Sequence, residues 1–120
     1  MKNRILNLVL TFVFAFFAQN IVAQNTNIVT QNIKVSGNCD DCKRRIEKAC
    51  FRVAGVQKAD WNDETGILTI TFNNKKATLD KIEQSVARFG YDTEHHKGSD
   101  KAYKKLPHCC QYRDGNPHKE

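Results

Sequence analysis

The chain has 120 residues, which is the length of one small domain with short extensions. It carries 19 Lys and Arg against 13 Asp and Glu, for a formal net charge of +6, and the two signs are interspersed along the chain. There is no arginine-rich run and no interleaving of basic with aromatic residues, so the composition argues against a nucleic-acid-binding protein.

The first 23 residues have the pattern of a secretory signal peptide. Lys2 and Arg4 form a basic start, and residues 5–18 are an apolar run with only two polar interruptions. That run is shorter than the roughly 20 residues that a transmembrane helix needs. We therefore predict cleavage after Ala23 and a mature protein outside the cytoplasm, in the periplasm, without stable membrane insertion. The competing interpretation is a retained membrane anchor.

Hydrophobic periodicity predicts six elements in the order strand, helix, strand, strand, helix, strand. The strands occupy residues 28–37, 56–61, 67–72 and 91–94, and the helices occupy residues 41–54 and 79–89. Asp40 or Asp41 is the expected N-cap of the first helix, and Glu83 is expected on the solvent-facing side of the second. This order predicts an α+β, ferredoxin-like βαββαβ sandwich, with both helices on one face of an antiparallel sheet.

The spacing of the five cysteines favours metal or redox chemistry over disulfide staples. Cys39 and Cys42 form a CxxC pair, and Cys109 and Cys110 are adjacent. An odd number leaves at least one thiol unpaired within a monomer, and such short spacings do not form a framework. Cys50 lies on the apolar face of the first predicted helix, so we expect it in the core.

The CxxC pair falls at the turn between the first strand and the first helix, where Cys39 and Cys42 can face one point. Thiolates are soft ligands, and the positive end of the helix dipole favours their charged form. Two thiolates suit Cu(I) or Hg(II), whereas Zn(II) normally takes four ligands. The residues therefore predict a metal site, and the main alternative is a thiol–disulfide redox pair.

The element order, the CxxC at the first strand-to-helix turn and residues 88–92 (RFGYD) at the last turn resemble the heavy-metal-associated domain family. That family comprises small copper chaperones, modules of copper-exporting ATPases and a secreted mercury-binding protein. The resemblance implies a domain at residues 28–95 that holds a metal through Cys39 and Cys42, with Tyr91 beside the metal loop. It also implies a metal transporter or efflux component as a partner. Gly37 stands where the family usually has a loop-tethering Met, so a looser loop is expected.

Two carboxylates, Asp40 and Asp41, lie between the cysteines. They are expected to raise the thiol pKa values by like-charge repulsion. They also offer oxygen ligands to Zn(II) or Cd(II), or favour a cationic partner surface.

The C-terminal tail, residues 96–120, is predicted to be irregular. It is expected to dock through three apolar or aromatic residues, Tyr103, Leu106 and Tyr112. It also contains soft donors, namely His108, Cys109 and Cys110. These residues are candidates for a second metal site, for extra ligands at the first site, or for disulfides with Cys39 or Cys42 that mask it.

Together these features predict a protein that binds and sequesters or transfers a soft heavy-metal ion. Cu(I) is favoured, with Zn(II), Hg(II) or Cd(II) as further candidates. The sequence contains no set of nucleophile, base and acid and no phosphate-binding loop, so we expect that it is not an enzyme. The alternatives are a thiol–disulfide redox protein and an adaptor module of a metal-efflux system.

Overall fold

Residues 3–5 and 27–114 are described by the computed structural model of the chain. The strands are β1 (Ile28–Lys34), β2 (Val56–Trp61) and β3 (Ile67–Asn73), and the helices are α1 (Asp40–Phe51), α2 (Leu79–Arg88) and α3 (Asp100–Lys104). Two 3-10 turns follow, at His108–Cys110 and Tyr112–Asp114. The predicted signal peptide, apart from residues 3–5, lies outside the described residues. Within the described ranges, no helix is long and apolar enough to cross a bilayer.

The three strands form an antiparallel sheet in the order β1-β3-β2, and the fold is ferredoxin-like, as predicted. Alternate residues of β3 (Leu68, Ile70 and Phe72) are buried, whereas polar pairs such as Thr30–Thr71 lie on the exposed face. One face of the sheet therefore carries the core, and α1 and α2 cover it. Cys50 is fully buried there, as predicted, and burial raises its pKa to about 12.

The predicted fourth strand, residues 91–94, is reduced to one bridge between Val35 and Thr93. The Ser36 N–H donates to the Asp92 carbonyl at 2.9 Å, which continues the contact with the edge of the sheet by one bond. The Thr93 N–H instead donates to the His96 carbonyl at 2.8 Å and closes a turn. The chain therefore leaves the edge of β1 before a regular ladder forms.

Two sequence-based expectations about polar residues are wrong. The N-cap of α1 is Cys39, and Asp40 and Asp41 lie in the first turn, where their charge complements the helix dipole. Glu83 is buried, with 1% of its surface exposed, because its carboxylate accepts bonds from the Thr93 hydroxyl and from the His95 N–H. Burial raises the pKa of Glu83, but these hydrogen bonds outweigh it and leave the pKa below its ordinary value.

The loop before α1 is packed against Trp61 rather than loosened by the glycine. The Trp61 Nε1–H donates to the Val35 carbonyl at 3.0 Å, and the ring is fully buried. A Cβ at Gly37 would lie 2.9 Å from two carbons of this ring and 3.2 Å from Cys42 Cβ. Trp61 therefore fills the space beside the loop, and a glycine is needed for the close approach.

The C-terminal segment is more ordered than predicted. Tyr103 and Leu106 are buried against the core, and the Tyr112 hydroxyl donates to the Gly90 carbonyl at 2.9 Å. The predicted docking through these three residues is confirmed. A five-residue helix is too short to give a recognisable apolar period, which explains why its order is not visible in the sequence.

Replacement of Gly37 by Ala should destabilise the metal-free protein by about 1–3 kcal/mol, because the new methyl overlaps the Trp61 ring. In a Trp61→Phe background the cost should fall, since the two crowding ring carbons are absent. Urea unfolding of the four proteins under reducing conditions measures this coupling. If Gly37→Ala lowered the free energy of unfolding equally in both backgrounds, crowding by the Trp61 ring would not be the reason for a glycine at this position.

Candidate metal centre

The strand-to-helix loop brings the two thiols of the CxxC pair together. Cys39 is the N-cap of α1 and has an extended backbone, and its carbonyl accepts from the Lys43 N–H at 3.1 Å as the helix begins. Cys42 lies in the first turn and is fully buried, whereas Cys39 is half-buried. The two Sγ atoms lie 3.4 Å apart. Both predicted ligands therefore face one point, and one of them reaches the surface.

A third thiol reaches the same point from the C-terminal segment. Cys110 ends the first 3-10 turn and is fully buried, and its Sγ lies 3.6 Å from that of Cys39. The Sγ atoms of Cys39, Cys42 and Cys110 all lie within 4.8 Å of one another. The tail cysteine is thus brought to the predicted loop site, one of the three arrangements that the sequence left open.

The other two donors of the tail lie outside this cluster within the described ranges. The Cys109 Sγ lies 3.9 Å from Cys110 Sγ and donates to a carboxylate oxygen of Asp41 at 3.6 Å. His108 is exposed and contributes no atom to the group of three thiols. Of the two adjacent cysteines, Cys110 therefore belongs to the cluster and Cys109 lies beside it.

The two carboxylates between the cysteines do not join the cluster. Asp41 forms an ion pair with Arg44, and the hydrogen bond from that guanidinium holds the pKa of Asp41 below its ordinary value. Asp40 is exposed. Among the described residues, neither carboxylate belongs to the compact group of ligand atoms. The cluster itself therefore offers sulfur alone.

The three thiols differ in their ease of ionisation. Burial raises the pKa of Cys39, but hydrogen bonds from the Cys42 N–H and from the neighbouring thiols outweigh it, so that pKa lies below the ordinary thiol value. The expected rise from the carboxylates is therefore wrong for Cys39. Burial raises the pKa of both Cys42 and Cys110. Cys39 is the most readily ionised thiol of the cluster and the one that solvent reaches.

Tyr91 lies beside the cluster, as the resemblance implied. It is fully buried, and within the described part of the chain its hydroxyl has no hydrogen-bond partner. Burial raises its pKa, and negative charge on Cys42 or Cys110 raises it further. Its ring stacks on Tyr112 with centroids 5.9 Å apart. A buried hydroxyl without a partner next to thiols is a donor available to a thiolate.

Asn38 contributes a contact that the sequence did not indicate, because it was interpreted only as a turn former. Its side-chain oxygen accepts from the Cys42 Sγ at 3.1 Å. This bond orients the buried thiol within the loop. The amide side chain one residue before Cys39 could have indicated a hydrogen bond to the loop. The preference of asparagine for turns explained its presence equally well.

A ferredoxin-like sandwich that presents a thiol cluster at its first strand-to-helix turn is the architecture of a small metal-binding module. The heavy-metal-associated domain family matches residues 26–92, which is more than half of the chain. The chain belongs to this family. The match ends before the C-terminal segment, so Cys110 lies outside it.

Three relatives of the chain are named for three different metals. The copper chaperone CopZ of Staphylococcus saprophyticus is 32% identical over 68 residues, which cover 56% of this chain and 100% of that protein. A zinc-transporting ATPase of Synechocystis sp. is 33% identical over 79 residues, which span 65% of this chain but only 11% of the ATPase. The mercuric transport protein periplasmic component of Shewanella putrefaciens is 33% identical over 54 residues, covering 45% of this chain and 59% of that protein.

The solved structure of a CopZ metallochaperone is similar to this chain, with a TM-score of 0.53 and 27% sequence identity. The similarity covers 54% of this chain and 98% of the metallochaperone. The shared part is therefore one complete small domain, and the additional length of this chain lies beyond it.

Replacement of Tyr91 by Phe should leave the metal-free protein as stable as the parent or more stable by up to about 1 kcal/mol, because the lost hydroxyl has no partner there. Denaturant unfolding under reducing conditions measures this change. A loss of more than about 1 kcal/mol would show that the hydroxyl is satisfied in the metal-free protein.

Proposed function

We propose that this protein binds a soft heavy-metal ion through Cys39 and Cys42 and sequesters or transfers it outside the cytoplasm. The observation that carries the proposal is the 3.4 Å approach of the two Sγ atoms at the N-terminus of α1. The helix dipole stabilises thiolates at this position, and thiolates are ligands for soft ions. Membership of the heavy-metal-associated family supports the same chemistry.

Cu(I) is the favoured ion. The cluster offers sulfur without a carboxylate oxygen, and Cu(I) is satisfied by few thiolates, whereas Zn(II) prefers four ligands. The match to a copper chaperone, which extends over the whole length of that protein, supports the choice of Cu(I). Hg(II), Cd(II) and Zn(II) are less favoured than Cu(I). Relatives named for mercury and for zinc support Hg(II) and Zn(II) as the alternatives.

Transfer to a transporter or efflux component fits the unequal exposure of the two cysteines. Cys42 is fully buried and is shielded from a partner protein, whereas the half-buried Cys39 is accessible to an incoming thiolate. Ligand exchange through Cys39 moves the ion without free release. The similarity to one segment of a metal-transporting ATPase is consistent with a transporter as the acceptor. The similarity to a small copper chaperone over its whole length favours a carrier rather than an enzyme.

A location in the periplasm rests on the signal-like pattern of residues 1–23 and on the similarity to a protein named a periplasmic component. Mass spectrometry of the exported protein checks it. The mature chain should begin at Gln24, and recovery of the uncleaved chain from the cytoplasm would contradict it.

Anaerobic titration with Cu(I) against a chromophoric Cu(I) chelator tests the metal proposal. The reduced protein should take one equivalent, and the Cys39→Ser, Cys42→Ser double variant should lose at least about a hundredfold in affinity, because both thiolates are gone. The matched control is Cys109→Ser, which removes a neighbouring thiol outside the cluster and should retain the affinity of the parent.

Two results would contradict this function. One is a reduced protein that never competes with the chelator. The other is a double variant that binds as tightly as the control. Cycling of a Cys39–Cys42 disulfide with a dithiol partner, in a protein that binds no metal, would favour the redox alternative instead.

A further inference from the structure

We propose that Cys110, from the C-terminal segment, is a third thiolate ligand of the metal site and selects for ions that accept three sulfurs. This inference deepens the proposed function and rests on it. The residue lies outside the part of the chain that matches the family. It therefore adds a ligand to the two thiols of the loop.

The distances among the sulfurs fit a triangle better than a line. With metal–thiolate bonds of about 2.3 Å, two sulfurs on opposite sides of an ion lie about 4.6 Å apart, and three sulfurs around an ion in a plane lie about 4.0 Å apart. Cys39 Sγ lies 3.4 Å from Cys42 Sγ and 3.6 Å from Cys110 Sγ, and the third separation is at most 4.8 Å. Small outward shifts of Cys39 would complete a three-sulfur site, whereas a linear pair requires a larger opening of the loop.

The position of Cys110 is fixed by contacts that do not involve the thiols. The Cys110 N–H donates to the Pro107 carbonyl at 2.8 Å, which closes the 3-10 turn, and Leu106 anchors the start of this segment in the core. The Tyr112 hydroxyl accepts from the Asp92 N–H at 2.8 Å and donates to the Gly90 carbonyl at 2.9 Å. The turn is thus attached on both sides of Cys110.

Arg113 strengthens the attachment on the far side of the turn. Its guanidinium donates to Asp92 at 2.7 Å and to the Gly98 carbonyl at 2.8 Å, and it lies over the Tyr103 ring at 4.5 Å. Because the segment is ordered by its own contacts, little conformational entropy is lost when Cys110 binds an ion. The third ligand is therefore held in place before the ion arrives.

The buried hydroxyl of Tyr91 is consistent with thiolates at this site. In the metal-free thiol form, the Cys42 S–H donates to Asn38, and the Tyr91 hydroxyl has no partner among the described residues. When an ion binds, each ligating thiol gives its proton to solvent and becomes an acceptor. The Tyr91 O–H then has a thiolate to which it can donate, on the side of the cluster formed by Cys42 and Cys110.

Three thiolates change which ions are held best. Cu(I), Hg(II) and Cd(II) are soft and accept such a set, and Zn(II) still lacks a fourth ligand from the cluster. Cu(I) and Hg(II) are also satisfied by two thiolates, whereas Cd(II) gains more from the third. Removal of Cys110 should therefore weaken Cd(II) binding more than Cu(I) binding.

X-ray absorption of the reduced protein with one equivalent of Cu(I) counts the sulfurs directly. The parent and the Cys109→Ser control should show three sulfur neighbours, and Cys110→Ser should show two with a shorter Cu–S distance. In competition titrations, Cys110→Ser should lose at least about tenfold in Cd(II) affinity and a smaller factor in Cu(I) affinity. Cys109→Ser should lose neither. Circular dichroism of the variants confirms that each retains the fold.

The parent protein alone can overturn the proposal, even if a variant fails to fold. Two sulfurs around Cu(I) in the parent would overturn the proposal that Cys110 is a third ligand and would leave the proposed function intact. Failure of the parent to bind Cu(I) at all would overturn the proposed function itself. Equal Cd(II) affinities of folded Cys110→Ser and Cys109→Ser would also overturn the role of Cys110 in selection.

Discussion

The Tyr112 hydroxyl joins the C-terminal segment to the domain at two backbone groups that flank Tyr91. It accepts from the Asp92 N–H and donates to the Gly90 carbonyl, so the hydroxyl acts both as an acceptor and as a donor. The same ring stacks on Tyr91 and meets Tyr103 edge to face. This attachment fixes where the 3-10 turn lies and therefore where Cys110 points. The three-thiol cluster depends on it.

The cluster combines fixed thiols with one accessible thiol. Cys42 and Cys110 are fully buried, and their environment favours the neutral form until an ion replaces the proton. Cys39 is half-buried at the helix N-terminus and ionises more readily. In the proposed three-sulfur site, Cys42 and Cys110 would still hold an ion while its bond to Cys39 is exchanged. In the proposed function, the protein can thus retain an ion strongly and still exchange it with a partner thiolate.

Most of the domain follows from local sequence patterns. The period-2 runs gave β1 to β3, the apolar stripes gave α1 and α2, and the position of Cys39 and Cys42 between them indicated the metal loop. Contacts between distant residues were not predictable in this way. Glu83 is buried because the turn after α2 brings Thr93 and His95 to it, and Gly37 is required because Trp61 packs across the loop.

The tail shows the same limit more clearly. Cys110 is 71 residues away from Cys39, and its approach depends on the burial of Leu106 before it and on the hydrogen bonds of the Tyr112 hydroxyl after it. Composition indicated soft donors and apolar anchors in this segment, but it did not indicate which donor faces the loop. A difference of one position separates Cys110 in the cluster from Cys109 beside Asp41.

The strand-to-helix loop and the C-terminal segment are proposed to form one metal site. Amide NMR spectra recorded during anaerobic addition of Cu(I) test it most directly. Signals from residues 38–42 and from residues 109–112 should shift together and stop changing at one equivalent. Shifts confined to residues 38–42, or a separate later change in the tail, would contradict a shared site.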